Sequence, residues 1–249
     1  MRDDAGDARG GLGTVRNAAL LLGLLAAGSG YLQLTELAER SGLSYPTVHR
    51  LLRSLTLADL VHQDPRSARY GLGPGLVVLS HRYLSGLPIL TAINPYLVQL
   101  RDELRLTVEV QVIVGTTLVT VDQVDGSEVG IYRSPHATCP ALDRPAGRLL
   151  AARLGEPDWQ ALLDDLEHEA AAEAAARRAD WAASEWLHEA TRTAGTDEVA
   201  VVLTRAEDAS PPAALAVATP PRLPEERVAE IVESMMRARN AADRTRGYA

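Results

Sequence analysis

The chain has 249 residues, 46% of them hydrophobic and 23% charged, which is an ordinary folded composition with room for one small and one medium domain. A single cysteine, Cys139, excludes an internal disulfide framework and multi-cysteine metal or iron–sulfur centres, and suggests a reducing compartment. All 25 basic residues are arginine, so a Walker-type phosphate loop, a Schiff-base lysine and a pyridoxal phosphate site are ruled out. The net charge of −8 is unevenly spread: residues 1–13 sum to −1, 14–85 to +3 and 86–249 to −10. A modestly basic segment ahead of an acidic remainder points to an anionic partner for the first segment alone.

In chain order, residues 1–13 read as a disordered tail. Ala18–Ala27 (AALLLGLLAA) mimics the apolar core of a signal peptide. The preceding Asp3, Asp4 and Asp7 and the short run, which cannot span a bilayer, favour a buried helix ending at Gly28. Leu34, Leu37 and Ala38 then repeat at helical spacing until Ser41-Gly42-Leu43, where the glycine suits a tight turn. A second helix starts at once. Ser44 is its N-cap, Pro46 sits in the first turn, and Val48, Leu51, Leu52 and Leu55 form the inward face. That leaves Tyr45, His49, Arg50 and Arg53 facing outward. Leu60–Gln63 and Ala68–Leu72 read as strands around a turn at Asp64-Pro65-Arg66-Ser67, which completes a winged helix-turn-helix over residues 14–73.

Gly73-Pro74-Gly75 punctuates the chain, and Leu76, Val77, Leu79 and Leu84 mark a linker helix within residues 74–87. Residues 88–240 read as a second domain, followed by a tail at 241–249. Within it, a helix at 95–106 precedes strands at 107–114, 117–124 and 128–133, joined by short turns. Helices are expected at 144–154 and 157–192, the latter alanine-rich with Trp159, Trp181, Trp186 and Leu187 as buried anchors. Strands Val199–Leu203 and Ala213–Ala218 and a helix from about Pro224 to Asn240 close the domain. Strands and helices without βαβ alternation make the fold class α+β.

A helix-turn-helix reads DNA because its second helix fits the major groove while flanking groups hold phosphates. Arg50 and Arg53 offer planar forks for guanine edges or phosphates, and His49 and Tyr45 can bond bases or backbone. Ser44 and Thr47 can meet a phosphate near the helix N-terminus, and Arg66 and Arg69 lie at the hairpin tip. The bland alternative is a set of solvated charges. Enzyme chemistry finds no support: there is no G-x-S-x-G elbow, and Gly71-x-Gly73-x-Gly75 lacks the context of a dinucleotide loop. His136 and Cys139, near Asp143, read as loop residues rather than a metal site or thiol–imidazole pair, and His168 and His188 as surface residues. No catalytic residue, metal or cofactor is expected.

The stretch TELAERSGLSYPTVHRLLRSL, followed by RYGLGPGLVVLS, resembles the N-terminal domain of the IclR family of bacterial transcriptional regulators. The likeness continues at PYLVQLRDELRLTVEVQVIVGTTLVTVDQV, PALDRPAGRLLAARL and AALAVATPPRLPEERVAEIV. It implies a winged helix-turn-helix, a linker helix, and a C-terminal GAF-like antiparallel sheet domain that binds a small effector. It also implies a homodimer or homotetramer acting in the cytoplasm on double-stranded DNA with a palindromic operator, with no membrane attachment. The effector site would involve Cys139, Arg144, Gly147, Ala200, Ala216 and Ala218. Here the sequence departs from the family, because Ala216 and Ala218 stand where hydroxyl or thiol groups are usual. Glu207–Pro212 also replaces a short glycine turn. Such walls suit an apolar or larger effector, or a degenerate pocket that serves only oligomerisation, since a small carboxylate would lose water without gaining donors. Arg144 or Arg133 remain as sources of positive charge. A winged-helix adaptor that binds protein rather than DNA is the competing expectation for the whole chain.

Overall fold

The computed structural model describes residues 4–27, 30–126, 137–192, 195–203 and 211–246, with side chains only within 13–245. It divides into two compact units, Met1–Tyr83 and Leu84–Ala249. Among the described residues no single helix is long and apolar enough to cross a membrane.

The first unit is built on α1 (Asp4–Ala27), α2 (Leu34–Ser41) and α3 (Tyr45–Leu57), followed by β1 (Val61–Gln63) and β2 (Tyr70–Leu72). Helix α1 takes in residues 4–13, which the sequence reads as a tail, and its apolar stretch is a core element: Leu21 and Leu25 are buried with Leu37, Val48, Leu52 and Val61. The turn after α2 passes Gly42 at φ 68°. Glu36 closes the N-terminus of α2 by accepting the Gln33 N–H at 2.6 Å. Strands β1 and β2 pair antiparallel, and Tyr70 extends the pairing by exchanging two backbone bonds with Leu32, at 2.9 and 2.8 Å. The hairpin is thereby fastened to the segment ahead of α2 as well as to itself. The glycines after it are a packing requirement: a Cβ at Gly73 would stand 2.2 Å from the Asp59 carbonyl oxygen, and Gly75 donates its N–H to that same oxygen at 2.9 Å. Helix α4 (Gly75–Ser85) follows and buries none of its side chains.

The second unit is a six-stranded antiparallel sheet in the order β5-β4-β3-β8-β7-β6. Its strands are β3 (Val108–Val114), β4 (Thr117–Val124), β5 (Thr138–Pro140), β6 (Trp186–Ala190), β7 (Asp197–Val202) and β8 (Ala213–Thr219). Alternation divides each central strand between two cores. Val108, Val110, Val112, Val199, Val201, Leu215 and Val217 face α5 (Pro88–Leu104) and α9 (Glu225–Arg246). Ile113, Ala200, Val202, Ala214 and Ala216 face α6 (Pro145–Ala151) and its neighbours α7 (Glu156–Asp164) and α8 (His168–Ala183). The α+β class agrees with the sequence reading, and β3 and β4 pair antiparallel as the expected hairpin.

Three readings of this unit need correction. The alanine-rich helix expected over 157–192 is two helices and a strand: Ser184 turns extended, and Trp186–Ala190 pairs with β7. Alanine propensity gives way there to sheet hydrogen bonds, and the Arg153 guanidinium closes the end of α8 by donating to the Trp181 carbonyl at 3.1 Å and to that of Ser184. Trp159 and Trp181 are buried as expected, each under an arginine (Arg178 and Arg177), whereas Trp186 is 43% exposed on the edge strand. Helix α9 continues to Arg246, through the segment read as a tail. The residues around Cys139, read as a loop, form the short edge strand β5. The strand expected at 128–133 and most of Glu207–Pro212 lie outside the described residues.

The close approach at Gly73 yields a direct expectation. Gly73→Ala should destabilise the protein by about 1–3 kcal/mol, the usual cost of overpacking a site that cannot give. Urea unfolding followed by far-UV circular dichroism would show it, and an unchanged midpoint would mean that Asp59 and the wing separate freely.

Candidate nucleic-acid interface and effector cavity

Helix α3 exposes one face because its other face is fully used. Val48, Leu51, Leu52 and Leu55 are buried, which turns Tyr45, His49, Arg50 and Arg53 to solvent. Ser44 holds the N-cap position, but its hydroxyl bonds Thr47 Oγ1 at 2.8 Å instead of capping a backbone N–H. The first-turn N–H groups of α3 and the two hydroxyls therefore lie together at the helix N-terminus, an arrangement suited to phosphate. At the wing tip the turn is preformed by Asp64, whose carboxylate accepts from the Ser67 N–H at 3.0 Å, from the Ser67 hydroxyl and from the Arg66 N–H at 3.3 Å. The Ser67 hydroxyl, then the Arg66 N–H, hold this carboxyl below its ordinary range. Arg66 is exposed at the tip and Arg69 half-buried beside it.

Arginine usage differs between the two units. In the second, Arg101, Arg144, Arg148, Arg177, Arg178, Arg192, Arg227, Arg237 and Arg239 all pair with carboxylates. Among the described residues, Arg50, Arg53, Arg66 and Arg69 have no such partner. Unpaired guanidinium groups on one helix face and one hairpin tip can take up anions without first giving up a salt bridge.

The second site is a cavity of about 290 Å³ in the sheet unit, on the α6 side of the sheet. Its walls carry Glu109 from β3, Leu118 and Thr120 from β4, Thr138 and Cys139 from β5, and Ala218 from β8, with Ala137, Arg144, Thr191 and Thr196 from the connections. Of the residues expected at an effector site, Cys139, Arg144 and Ala218 line this cavity. Gly147, Ala200 and Ala216 are not in the wall: all three are buried in the packing of α6 on the sheet. Gly147 is small because α6 presses on the preceding turn, where a Cβ would meet the Ala141 oxygen at 1.8 Å. Arg133 and His136 lie outside the described residues.

The apolar wall expected from β7 and β8 is represented by Ala218, beside Leu118, and polar groups join it from β3, β4, β5 and the β6–β7 connection, which a reading of β7 and β8 cannot see. At the centre Arg144 donates its Nε–H to Glu198 Oε2 at 2.6 Å, and its Nη2 contacts the same oxygen and Glu109 Oε2 at 2.9 Å. Glu198, fully buried on β7, also accepts the Ala146 N–H at 2.9 Å, the opening turn of α6. Burial pushes the Glu198 carboxyl up against the pull of Arg144 and Ala146. For Arg144, burial works against the charge but Glu198 and Glu109 outweigh it, so the guanidinium stays ionised. Glu109 and Glu198 escaped the sequence reading, although a charged residue inside each apolar strand, TVEVQVIV and DEVAVV, was the available signal.

The class that this fold defines is a winged helix-turn-helix joined to an antiparallel-sheet unit with a partly open cavity. Residues 14–65 match the model of the IclR helix-turn-helix domain. It is 27% identical to the HTH-type transcriptional regulator XynR of Escherichia coli K12 over 156 residues, which is 62% of each chain. The chain thus spans under two thirds of the length of that relative. An IclR family transcriptional regulator from Brucella abortus superposes with a TM-score of 0.76 at 21% identity, covering 93% of this chain and 91% of that one. An IclR homologue from Microbacterium hydrocarbonoxydans, complexed with 4-hydroxybenzoate, gives 0.67 at 14% identity, covering 95% and 100%. At these identities the structures speak for the fold alone.

Burial also pushes the Cys139 thiol above its ordinary value of 9.0, with Arg144 opposing. Since the thiolate is the reactive form, a raised value leaves less of it at neutral pH. Alkylation of Cys139 by iodoacetamide should therefore be slower than that of a free thiol and keep rising beyond pH 9. A rate that levels off below pH 8 would place the thiol in a different environment.

Proposed function

We propose that this protein is a cytoplasmic, sequence-specific DNA-binding transcriptional regulator, with α3 in the major groove and the wing on the flanking backbone. The observation that carries this reading is the exposed, carboxylate-free face of Tyr45, His49, Arg50 and Arg53 on a helix whose opposite face is buried, within the segment that matches the IclR helix-turn-helix domain. Arg50 and Arg53 read base edges or clamp phosphates. Ser44 and Thr47 meet a phosphate at the helix N-terminus, and Arg66 and Arg69 act from the wing.

Binding as a dimer or tetramer to a palindromic operator follows from the same reading, because recognition helices on a two-fold axis meet half-sites about 34 Å apart. Helix α4 supplies a surface for the pairing: it buries none of its side chains, and Val77, Val78, Leu79 and Tyr83 are between 51% and 71% exposed. A helix so apolar and so open fits contact with a second copy. The cavity in the sheet unit is the effector site, and the complex of the M. hydrocarbonoxydans homologue with 4-hydroxybenzoate supports a small-molecule role for this fold. Residues 14–73 would then be the reading head, 74–87 the linker and 88–240 the sensing and assembly domain.

Selection of genomic DNA fragments by the purified protein, beside an Arg50→Ala/Arg53→Ala variant and at two salt concentrations, tests the reading. The parent should enrich a palindromic site and lose affinity steeply with salt as counterions are released. Each arginine that reads a guanine should cost about 1–3 kcal/mol on replacement and relax specificity at one position, whereas a phosphate contact weakens all sequences alike. No retention of DNA at low salt by a folded oligomer would favour the adaptor alternative.

The assembly is tested separately. Val78→Glu/Leu79→Glu should shift the protein to a smaller species in light scattering coupled to size exclusion, and an unchanged mass would move the interface off α4.

A further inference from the structure

The effector reading leaves open which chemistry the cavity accepts, and the charges around it answer that. The one cation in its wall among the described residues is Arg144, and its guanidinium is already engaged by two carboxylates. Glu198 holds the Nε and Nη2 side with a 2.6 Å bond, and Glu109 holds Nη2 at 2.9 Å. An anionic ligand would have to displace one of these carboxylates from Arg144, and Glu198 is fully buried, so its displacement strands a charge. It would also stand against the Glu109 carboxylate, whose guanidinium partner is shared with Glu198. The remaining polar groups do not change this balance: Thr120, Thr138, Thr191 and Thr196 bring hydroxyls, and the half-buried Cys139 a thiol.

Glu109 is the group turned toward a ligand. It lines the cavity, and its Oε2 is the oxygen that takes Arg144, the Gln111 amide and the Thr120 hydroxyl. A carboxylate has room for about four hydrogen bonds on two oxygens, and the contacts of Glu109 fall on one of them. Behind it, outside the wall, Gln111 is fully buried and spends its amide N–H on Glu109. Among the described residues of the wall, the free acceptor capacity lies on Glu109, and the one cation is already engaged. We infer that the cavity is selective for small organic cations, of the size and chemistry of a primary arylalkyl amine, and rejects small carboxylates. The ammonium would donate to Glu109 and the threonine hydroxyls, and the apolar part would rest on Leu118 and Ala218. This rests on the reading of the cavity as the effector site.

The test uses the chain's only cysteine, which stands in the cavity wall, so the sign of the local potential can be read without knowing the natural ligand. The native full-length protein is labelled with the cationic 2-(trimethylammonium)ethyl methanethiosulfonate and the anionic 2-sulfonatoethyl methanethiosulfonate. Each rate is normalised to that of 2-mercaptoethanol with the same reagent. The expected cation-to-anion ratio is about tenfold above the reference, the effect of one uncompensated charge at close range in a partly screened site. Glu109→Gln, with its fold checked by circular dichroism, should reduce that ratio severalfold. Labelling by the neutral methyl methanethiosulfonate should be slowed by benzylamine and not by benzoate.

A ratio at or below the reference, or one unmoved by Glu109→Gln, overturns the cation selectivity. So does protection by benzoate, or its absence with benzylamine. In each of these cases the cavity still admits small molecules and the effector reading survives. If the neutral reagent labels Cys139 only after denaturation, the cavity is closed to ligands and the effector reading falls with the inference.

Discussion

A buried carboxylate organises the sheet unit. Glu198 on β7 is removed from water, so its negative charge has to be met inside the protein, and three groups meet it: the Nε and Nη2 of Arg144 and the backbone N–H of Ala146. Two of these belong to Arg144 and one to the first turn of α6, so satisfying the charge docks the N-terminus of that helix on the sheet. The same guanidinium reaches Glu109 on β3 and so links strands separated in the sheet by β8. Once α6 is seated, Gly147 has to be a glycine because a Cβ there would meet the Ala141 oxygen, and the small Ala200 and Ala216 are buried in the same packing. Breaking such a pair from one side costs about 3–5 kcal/mol in general, and here the cavity wall would be lost with it.

Most described arginines of the sheet unit are engaged within the protein, whereas those on the outer face of α3 are not. In the sheet unit the guanidinium groups cap helices, pair carboxylates and stack on tryptophans, as Arg153, Arg148 and Arg178 illustrate. In the winged unit, Arg50, Arg53 and Arg66 stand in solvent with no carboxylate beside them among the described residues. A chain without lysine has no other strong cation, so this partition separates structural positive charge from charge kept for a partner. It also accounts for a protein of net charge −8 that can still present a basic face.

How much was legible differs sharply between the units. Helix α3 could be read residue by residue: an N-cap serine, a first-turn proline and four apolar residues at helical spacing leave only one face for Tyr45, His49, Arg50 and Arg53. Ser44 marked the boundary correctly even though its hydroxyl turned to Thr47. The sheet unit was legible as a set of strands but not as a site. Its cavity draws on β3, β4, β5, β8 and the connections before α6 and around β7, segments far apart in the chain, and reading β8 alone put two alanines in the wall where the structure puts one. Trp186 and His188 show the same limit from another side, for an alanine-rich run continues as helix on propensity until a neighbouring strand offers hydrogen bonds.

By itself, then, the sequence determined the local grammar. Periodicity, caps, turn residues and the distribution of charge are short-range properties, and they were enough to define the winged helix-turn-helix, its outward face and an α+β second unit. Tertiary structure alone decided which carboxylates share Arg144, which residues face the cavity and which merely pack behind it. The physical reason is that desolvation and ion pairing depend on distances between residues remote in the chain. No local pattern in the sequence records that Glu109, Arg144 and Glu198 meet at one point.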